Sequence, residues 1–170
     1  MMVRQTPWGP LVHGGLGIAQ DNSGKLVAAV RERARSEAAD RGLDLVLIDG
    51  PPGIGCPVHA AVTGVDLVLA VTEPTPSGVH DLGRLLMLTR SFHLRAAVLL
   101  NKADLSERYA DEVEGLAVAA GATPVGRLPF DSGVPALLAR LRTPLALEGW
   151  GGALRASWLK IQHLMEGAGK

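Results

Sequence analysis

Along most of the chain, short continuous apolar runs alternate with stretches in which apolar positions recur every three or four residues. Leu45-Val-Leu-Ile48, Leu67-Val-Leu-Ala-Val71, Ala96-Ala-Val-Leu-Leu100 and, more weakly, Pro124-Val-Gly-Arg-Leu128 are runs of the first kind. Runs without polar alternation suit strands buried on both faces, as in a parallel sheet. Helices are predicted at about 57–63, 78–91 and 106–120. The last has an acidic entry, Asp104-Leu-Ser-Glu107, resembling a capping box, and an exit at Gly121. Two further helices are predicted near 134–141 and 153–165; in the latter Leu154, Trp158, Ile161 and Met165 share one face and serve as core. Repeated strand-helix units imply an α/β fold with a doubly wound, mostly parallel sheet. With no internal repeat, charge block or low-complexity linker, residues 1–170 are expected to form a single domain.

The overall charge narrows the partners. Seventeen basic residues balance seventeen acidic ones among 170, which gives no reason to expect nucleic acid or an anionic membrane surface. No stretch reaches transmembrane length, and Met-Met-Val-Arg at the start lacks the apolar run of a signal peptide, so the expected location is cytoplasmic. Cys56 is the only cysteine. It cannot form an intramolecular disulfide, and an iron-sulfur cluster wants about four ligands. A small buried apolar role is the commoner one for such a residue. The five histidines show no metal-ligand spacing.

Ligands in open α/β sheets gather at the carboxyl ends of the strands, and here those ends are the polar part of the sequence. The first run is followed by Asp49-Gly-Pro-Pro-Gly-Ile-Gly-Cys-Pro-Val58. An aspartate directly after a strand is the Walker B arrangement, where a carboxylate orients magnesium or its water near phosphates, and Gly53 could offer a bare backbone N–H to a terminal phosphate. A tight proline-glycine turn explains the same residues equally well. The second run continues into Thr72-Glu-Pro-Thr-Pro-Ser-Gly78, before a helix carrying His80, Asp81 and Arg84. The third ends Leu100-Asn-Lys-Ala-Asp104. Asn-Lys-x-Asp after a strand is the guanine-reading element of GTPases. It is also met by a strand end followed by an aspartate that caps the next helix. A GTPase would further want Asp-x-x-Gly, but Pro52 occupies that glycine position.

Gly17-Ile-Ala-Gln-Asp-Asn-Ser-Gly-Lys-Leu26 ends like a phosphate-binding loop but fails the pattern G-x-x-x-x-G-K-[ST] twice. Ala19 stands where the first glycine should be, and Leu26 replaces the magnesium-binding hydroxyl. No other GK[ST] occurs. The plainer reading is a helix start capped by Asn22 or Ser23, with Leu26, Val27, Val30 and Ala34 at helical spacing.

Taken in order, Asp49-x-Pro51-x-Gly53, the segment Glu73-Pro-Thr-x-Ser-Gly-x-His-Asp-Leu82, Asn101-Lys102 and Gly126-Arg-Leu-Pro-Phe-Asp131 resemble the deviant-Walker P-loop ATPases of the MinD/ParA/Mrp type. The similarity covers nearly the whole chain and is nearest to the branch with an inserted ferredoxin-like iron-sulfur module. There, the segment resembling Gly9-Pro-Leu-Val-His13 through Leu26 directly follows the insert. The resemblance implies ATP and Mg²⁺ as ligands. Asp49 would be the Walker B and switch II carboxylate, acting on magnesium and the attacking water, and Gly53 the sensor of the terminal phosphate. Asn101, with Lys102 beside it, would contact adenine, and Pro129, Phe130 and Asp131 would line the base pocket. Asp81 would fall at a dimer contact.

Relative to that family, the deviant P-loop with its strand and the cysteine-rich insert have no counterpart in the sequence, so the chain looks like the carboxyl-terminal portion of a P-loop ATPase domain. Without a partner for the run ending at Asp49, buried ladder groups would go unpaired at about 1–3 kcal/mol each. The chain is therefore expected to join strands directly, to borrow a strand from another chain, or to be marginally stable. Without loop amides and lysine it is expected not to hydrolyse ATP alone. The implied partners are a second copy or a complementary chain carrying the P-loop and a ferredoxin-like module. The alternatives are a non-catalytic interaction module that pairs with a related ATPase, and a GTPase reading Asn101-Lys-Ala-Asp104.

Overall fold

A computed structural model describes residues 1–14 and 24–167. The proposed caps Asn22 and Ser23 and most of the Gly17–Leu26 stretch lie outside the described residues. The chain divides into two compact units, Met1–Thr63 and Gly64–Lys170.

The first unit begins with an antiparallel hairpin, β1 (Met2–Thr6) and β2 (Gly9–His13), joined at Pro7-Trp8 with Thr6 opposite Gly9. Thr6 Oγ1 donates to the Gly9 carbonyl at 2.7 Å and closes the turn. Sequence reading missed this hairpin, because its apolar and polar positions do not alternate cleanly. Helix α1 (Gly24–Arg41) packs on the short α2 (Cys56–Val62). The clamp between them is Arg31, a buried guanidinium that donates to the carbonyls of Ala60 and, at 2.6 Å, of Thr63. Those acceptors are the open carbonyls at a helix carboxyl end, where positive charge is favoured. Desolvation, with the nearby Arg35 charge, lowers the Arg31 pKa from its ordinary value. Farther along α1, buried Glu37 takes ion pairs from Arg33 and, at 3.0 Å, from Arg41, and Arg41 Nη1 reaches Gln5 Oε1 of the hairpin at 2.7 Å.

The expected strand at Leu45–Ile48 does not form: these residues are in no ladder, and Leu47 is 81% exposed. A strand exists through pairing of its backbone groups with a neighbour, and among the described residues none lies beside this run. Cys56 is also exposed at the start of α2, not buried as anticipated. The residues preceding a helix N-terminus form a surface turn here and leave the thiol in solvent.

The second unit is the α/β layer. Strands β3 (Val68–Thr72), β4 (Ala96–Leu100) and β5 (Thr123–Arg127) form a parallel sheet in the order β3-β4-β5. The connections run through α3 (Pro76–Ser91) and α4 (Glu107–Ala119), and the short α5 (Gly133–Leu138) and long α6 (Glu148–Glu166) follow. Period-two geometry sends alternate residues of β4 to opposite faces. Ala96, Val98 and Leu100 meet Leu82 and Leu86 of α3 and Val113 and Ala117 of α4. Ala97 and Leu99 join Val125, Leu128 and Ile161, with Leu154, Trp158 and Met165 of α6 against them. Helices thus cover both faces, and every residue of β4 is buried. At Gly126 an added Cβ would collide with the Ser157 hydroxyl, so glycine there lets α6 lie close to β5. Among the described residues β3 pairs on one edge only, and Val71, on the α6 face of the sheet, is 59% exposed.

Candidate functional site

The carboxyl ends of β3, β4 and β5 are built from the residues that the sequence marks. Thr75 caps α3 by accepting from the Gly78 N–H at 3.0 Å, while Thr72 Oγ1 donates to the Gly78 carbonyl at 3.1 Å. A Cβ at position 78 would run into the Glu73 carbonyl, so part of the Glu73–Gly78 motif is needed simply to fold the turn.

From β4 the chain leaves through Asn101, whose N–H donates to the Thr72 carbonyl at 2.8 Å. Lys102 then takes the left-handed conformation, φ 52 and ψ 45, and starts a one-turn 3-10 helix at Ala103–Leu105. An L-residue held there costs about 1 kcal/mol, and such a cost persists only where its surroundings fix it. The surroundings are the Glu73 carboxylate, 2.7 Å from Lys102 Nζ, and a zipper to the end of β5. Leu128 N–H donates to the Leu100 carbonyl (2.7 Å), Ala103 N–H to the Leu128 carbonyl (2.9 Å), and Phe130 N–H to Asp104 Oδ1 (2.7 Å). Asp131 Oδ1 accepts from the Gly133 N–H at 2.7 Å and turns the chain into α5. The capping box expected at 104–107 is replaced: Ser106 caps α4 by accepting from Tyr109 N–H, and Asp104 serves residue 130 instead.

These turns enclose a cavity of about 330 Å³ lined by Asn101, Lys102, Pro129, Phe130 and Asp131, together with Val134, Pro135, Leu138 and Trp150. Its size is at the lower end of ordinary small-molecule sites, about 300–1,000 Å³. The Asn101 amide supplies one acceptor and two donors, and Phe130 and Trp150 supply aromatic surface. Sequence reading had placed Val134 and Leu138 on a helix without assigning them to a site, and had not singled out Trp150. The available signal was that α5 starts immediately after Asp131. A second, smaller cavity, about 220 Å³, is lined by Ala103, Asp104, Glu107, Arg127 and Pro129. Beside it Arg127 binds the Glu107, Asp111 and Glu114 carboxylates at 2.6–2.9 Å. That fork raises the arginine pKa above its ordinary value, and the hydrogen bond from Arg127 lowers that of Glu114.

Asp49 and Gly53 belong to the other unit, on an irregular segment before α2. Asp49 is exposed. Gly53 has φ +89 with no atom within 4 Å of where a Cβ would sit, so glycine is required there for backbone conformation and not for space. Among the described residues no group of three or more His, Cys, Asp or Glu side chains could hold a metal ion. Asp49 alone therefore fits magnesium only as one ligand of a site completed by phosphate and water, which is the usual way magnesium is held. Asp81 is exposed and lies 3.3 Å from His80 Nδ1. No helix among the described residues is long and apolar enough to cross a membrane.

No family model matches the chain. The uncharacterized protein MJ0578 of Methanocaldococcus jannaschii is 33% identical over 131 residues, covering 76% of this chain and 42% of that protein. The uncharacterized protein MJ0579 of the same organism is 27% identical over 99 residues, 58% of this chain and 35% of its own length. The chain thus spans less than half the length of these curated relatives. Among solved structures, the MinD cell division protein of Aquifex aeolicus superposes with a TM-score of 0.67 at 23% identity, over 80% of this chain and 61% of that one. The septum site-determining protein MinD of Pyrococcus horikoshii, solved with Mg-ADP, gives 0.68 at 16% identity over 87% and 60%. A ParA family ATPase of Chlorobium tepidum gives 0.62 at 21% over 98% and 66%. The chain has the α/β fold of the MinD and ParA ATPases.

Proposed function

We propose that this chain is a nucleotide-binding segment of a MinD/ParA-like ATPase, its two units being parts of one domain, and that it takes ATP with Mg²⁺. The observation that carries this reading is that one cavity at the ends of β4 and β5 gathers Asn101, Lys102, Pro129, Phe130 and Asp131. In it the Asn101 amide contacts adenine and the 129–131 turn lines the base. Asp49 acts on magnesium and its water, and the Gly53 amide meets the terminal phosphate. With no G-x-x-x-x-G-K-[ST] in the sequence, the phosphate cradle comes from elsewhere, and the chain alone does not hydrolyse ATP. Its partner is a second copy or a complementary cytoplasmic chain with a P-loop and, as the sequence resemblance implies, a ferredoxin-like iron-sulfur module.

A second reading, a non-catalytic module that pairs with a related ATPase, is favoured by the edge of β3 that has no partner strand among the described residues and by its exposed Val71. Calorimetry with ATP and GTP in the presence of magnesium separates the two. Weak ATP binding that disappears in Asn101→Ala is the expected result. A stably folded chain that takes up neither nucleotide supports the pairing module instead.

A further inference from the structure

We propose that two copies of this chain dock head to tail, Leu141 of one copy entering the 220 Å³ cavity of the other while the arginines beside it meet that cavity's carboxylates. The inference goes beyond the nucleotide reading and does not rest on it. The knob lies just past α5. Arg142 N–H donates to the Leu137 carbonyl and Leu141 N–H to the Leu138 carbonyl, both at 2.9 Å, which are the paired bonds of a Schellman turn with residue 141 at its left-handed position. Glycine is the usual residue there, because a Cβ is disfavoured at positive φ. This chain has leucine instead, at φ 54 and 96% exposed. The residue bears the cost of that backbone conformation, and its side chain gains nothing from burial within its own chain. Its surroundings are of one sign: Leu138, Arg140 and Arg142 are also exposed, and no Asp or Glu occurs from residue 132 to 147.

The cavity has the opposite character. Ala103 and Pro129 give it apolar walls, and Asp104 and Glu107 line it with carboxylates. Along α4 follow Asp111, Glu112 and Glu114, against Arg108 alone on that helix. Arg127 is shared among Glu107, Asp111 and Glu114, so the negative charge is offset only in part. The space is room enough for a leucine side chain, and carboxylates stand beside it for the arginines on either side of that leucine. The whole chain is neutral, yet these two patches of its surface are opposite in charge, and complementarity of that kind steers docking and fixes its register. A contact between two different patches is heterologous, so a pair of copies leaves one knob and one cavity open and a third copy can add. The patches are small, which places the contact among weak, transient interfaces.

The test is sedentation equilibrium of the whole chain over a wide concentration range, with two variants. The mass of the parent chain is expected to climb past that of two copies, and added salt should weaken the association several-fold, since exposed charges are screened. Leu141→Gly removes the knob and relieves the left-handed turn, so it should melt no lower than the parent while associating about tenfold or more weakly. Glu107→Arg reverses charge at the cavity and should weaken association similarly. An equimolar mixture of the two variants is the decisive sample: one intact knob and one intact cavity remain, so it should form a one-to-one complex and stop there. A parent chain that stays monomeric, association that ends at two copies, or Leu141→Gly associating like the parent would each overturn the proposal. A variant mixture that forms no complex would do the same. So would a monomeric parent that floats with anionic phosphatidylserine vesicles when Leu141→Gly does not, which would assign the knob to a lipid surface.

Discussion

The two compact units of this chain are stabilised by different means. Gly64–Lys170 is organised around β4, five consecutive buried residues that give alternate side chains to two apolar clusters under α3, α4 and α6. Met1–Thr63 buries Ala38, Val58, Ala61 and Val62, and with them the charged Arg31 and Glu37. Several of its large apolar groups, among them Trp8, Leu45 and Leu47, remain exposed. Equally apolar runs thus have opposite fates. Ala96–Leu100 is a strand because β3 and β5 flank it, whereas the run at 45–48 lacks flanking strands among the described residues and stays irregular. Apolar content specifies which residues gain from burial, and neighbours decide whether burial happens.

The sharpest way to break that comparison is a matched pair of truncations. Leu100→Ala is expected to destabilise the sheet unit by about 2–5 kcal/mol, since the side chain is fully buried between helices and sheet. Leu47→Ala should change stability by less than about 0.5 kcal/mol, as exposed substitutions do. Native-state hydrogen exchange reads both: protection across β4 collapses in the first and is untouched in the second, with the amides at 46–48 exchanging fast throughout. Slow exchange at 46–48 in the parent chain would mean that this run has a strand partner after all.

The two arginine clamps offer a smaller contrast. Arg31→Met should cost about 2 kcal/mol, because two helix-end carbonyls lose charged donors, and the loss should show as faster exchange in α2 without change in β4. An equal effect in β4 would show that the two units unfold together.

Arg127→Ala should have the least effect, about 1 kcal/mol or less at neutral pH, since its partners are largely exposed. This contribution carries a pH signature. Arg127 holds the Glu114 pKa below its ordinary 4.5. The stabilisation is therefore fully present above that value and is lost as pH falls through the lower folded one. Urea melts of parent and variant should differ at pH 7 and converge in acid; a gap that persists at pH 3 would assign the effect to packing of the arginine stem.

The sequence by itself determined the α/β class, the helices α2 to α6 to within a few residues, and the strands β3, β4 and β5, because period and capping are local properties. The family resemblance, not local pattern, marked Asn101, Lys102 and the 129–131 turn as a group, and all five residues line one cavity at the end of the sheet. Three features depended on tertiary structure alone. The hairpin Met2–His13 lacks an alternating pattern and is defined by its own cross-strand pairing. Whether the run at 45–48 becomes a strand depends on a neighbour at its edge, which no local pattern encodes. Asp104 reads locally as a helix cap or a base reader, and only the return of β5 beside β4 gives its carboxylate the Phe130 amide to hold. Hydrogen bonds between segments distant in sequence form where the fold brings a donor within 3 Å of an acceptor, and that distance is set by packing of the whole sheet.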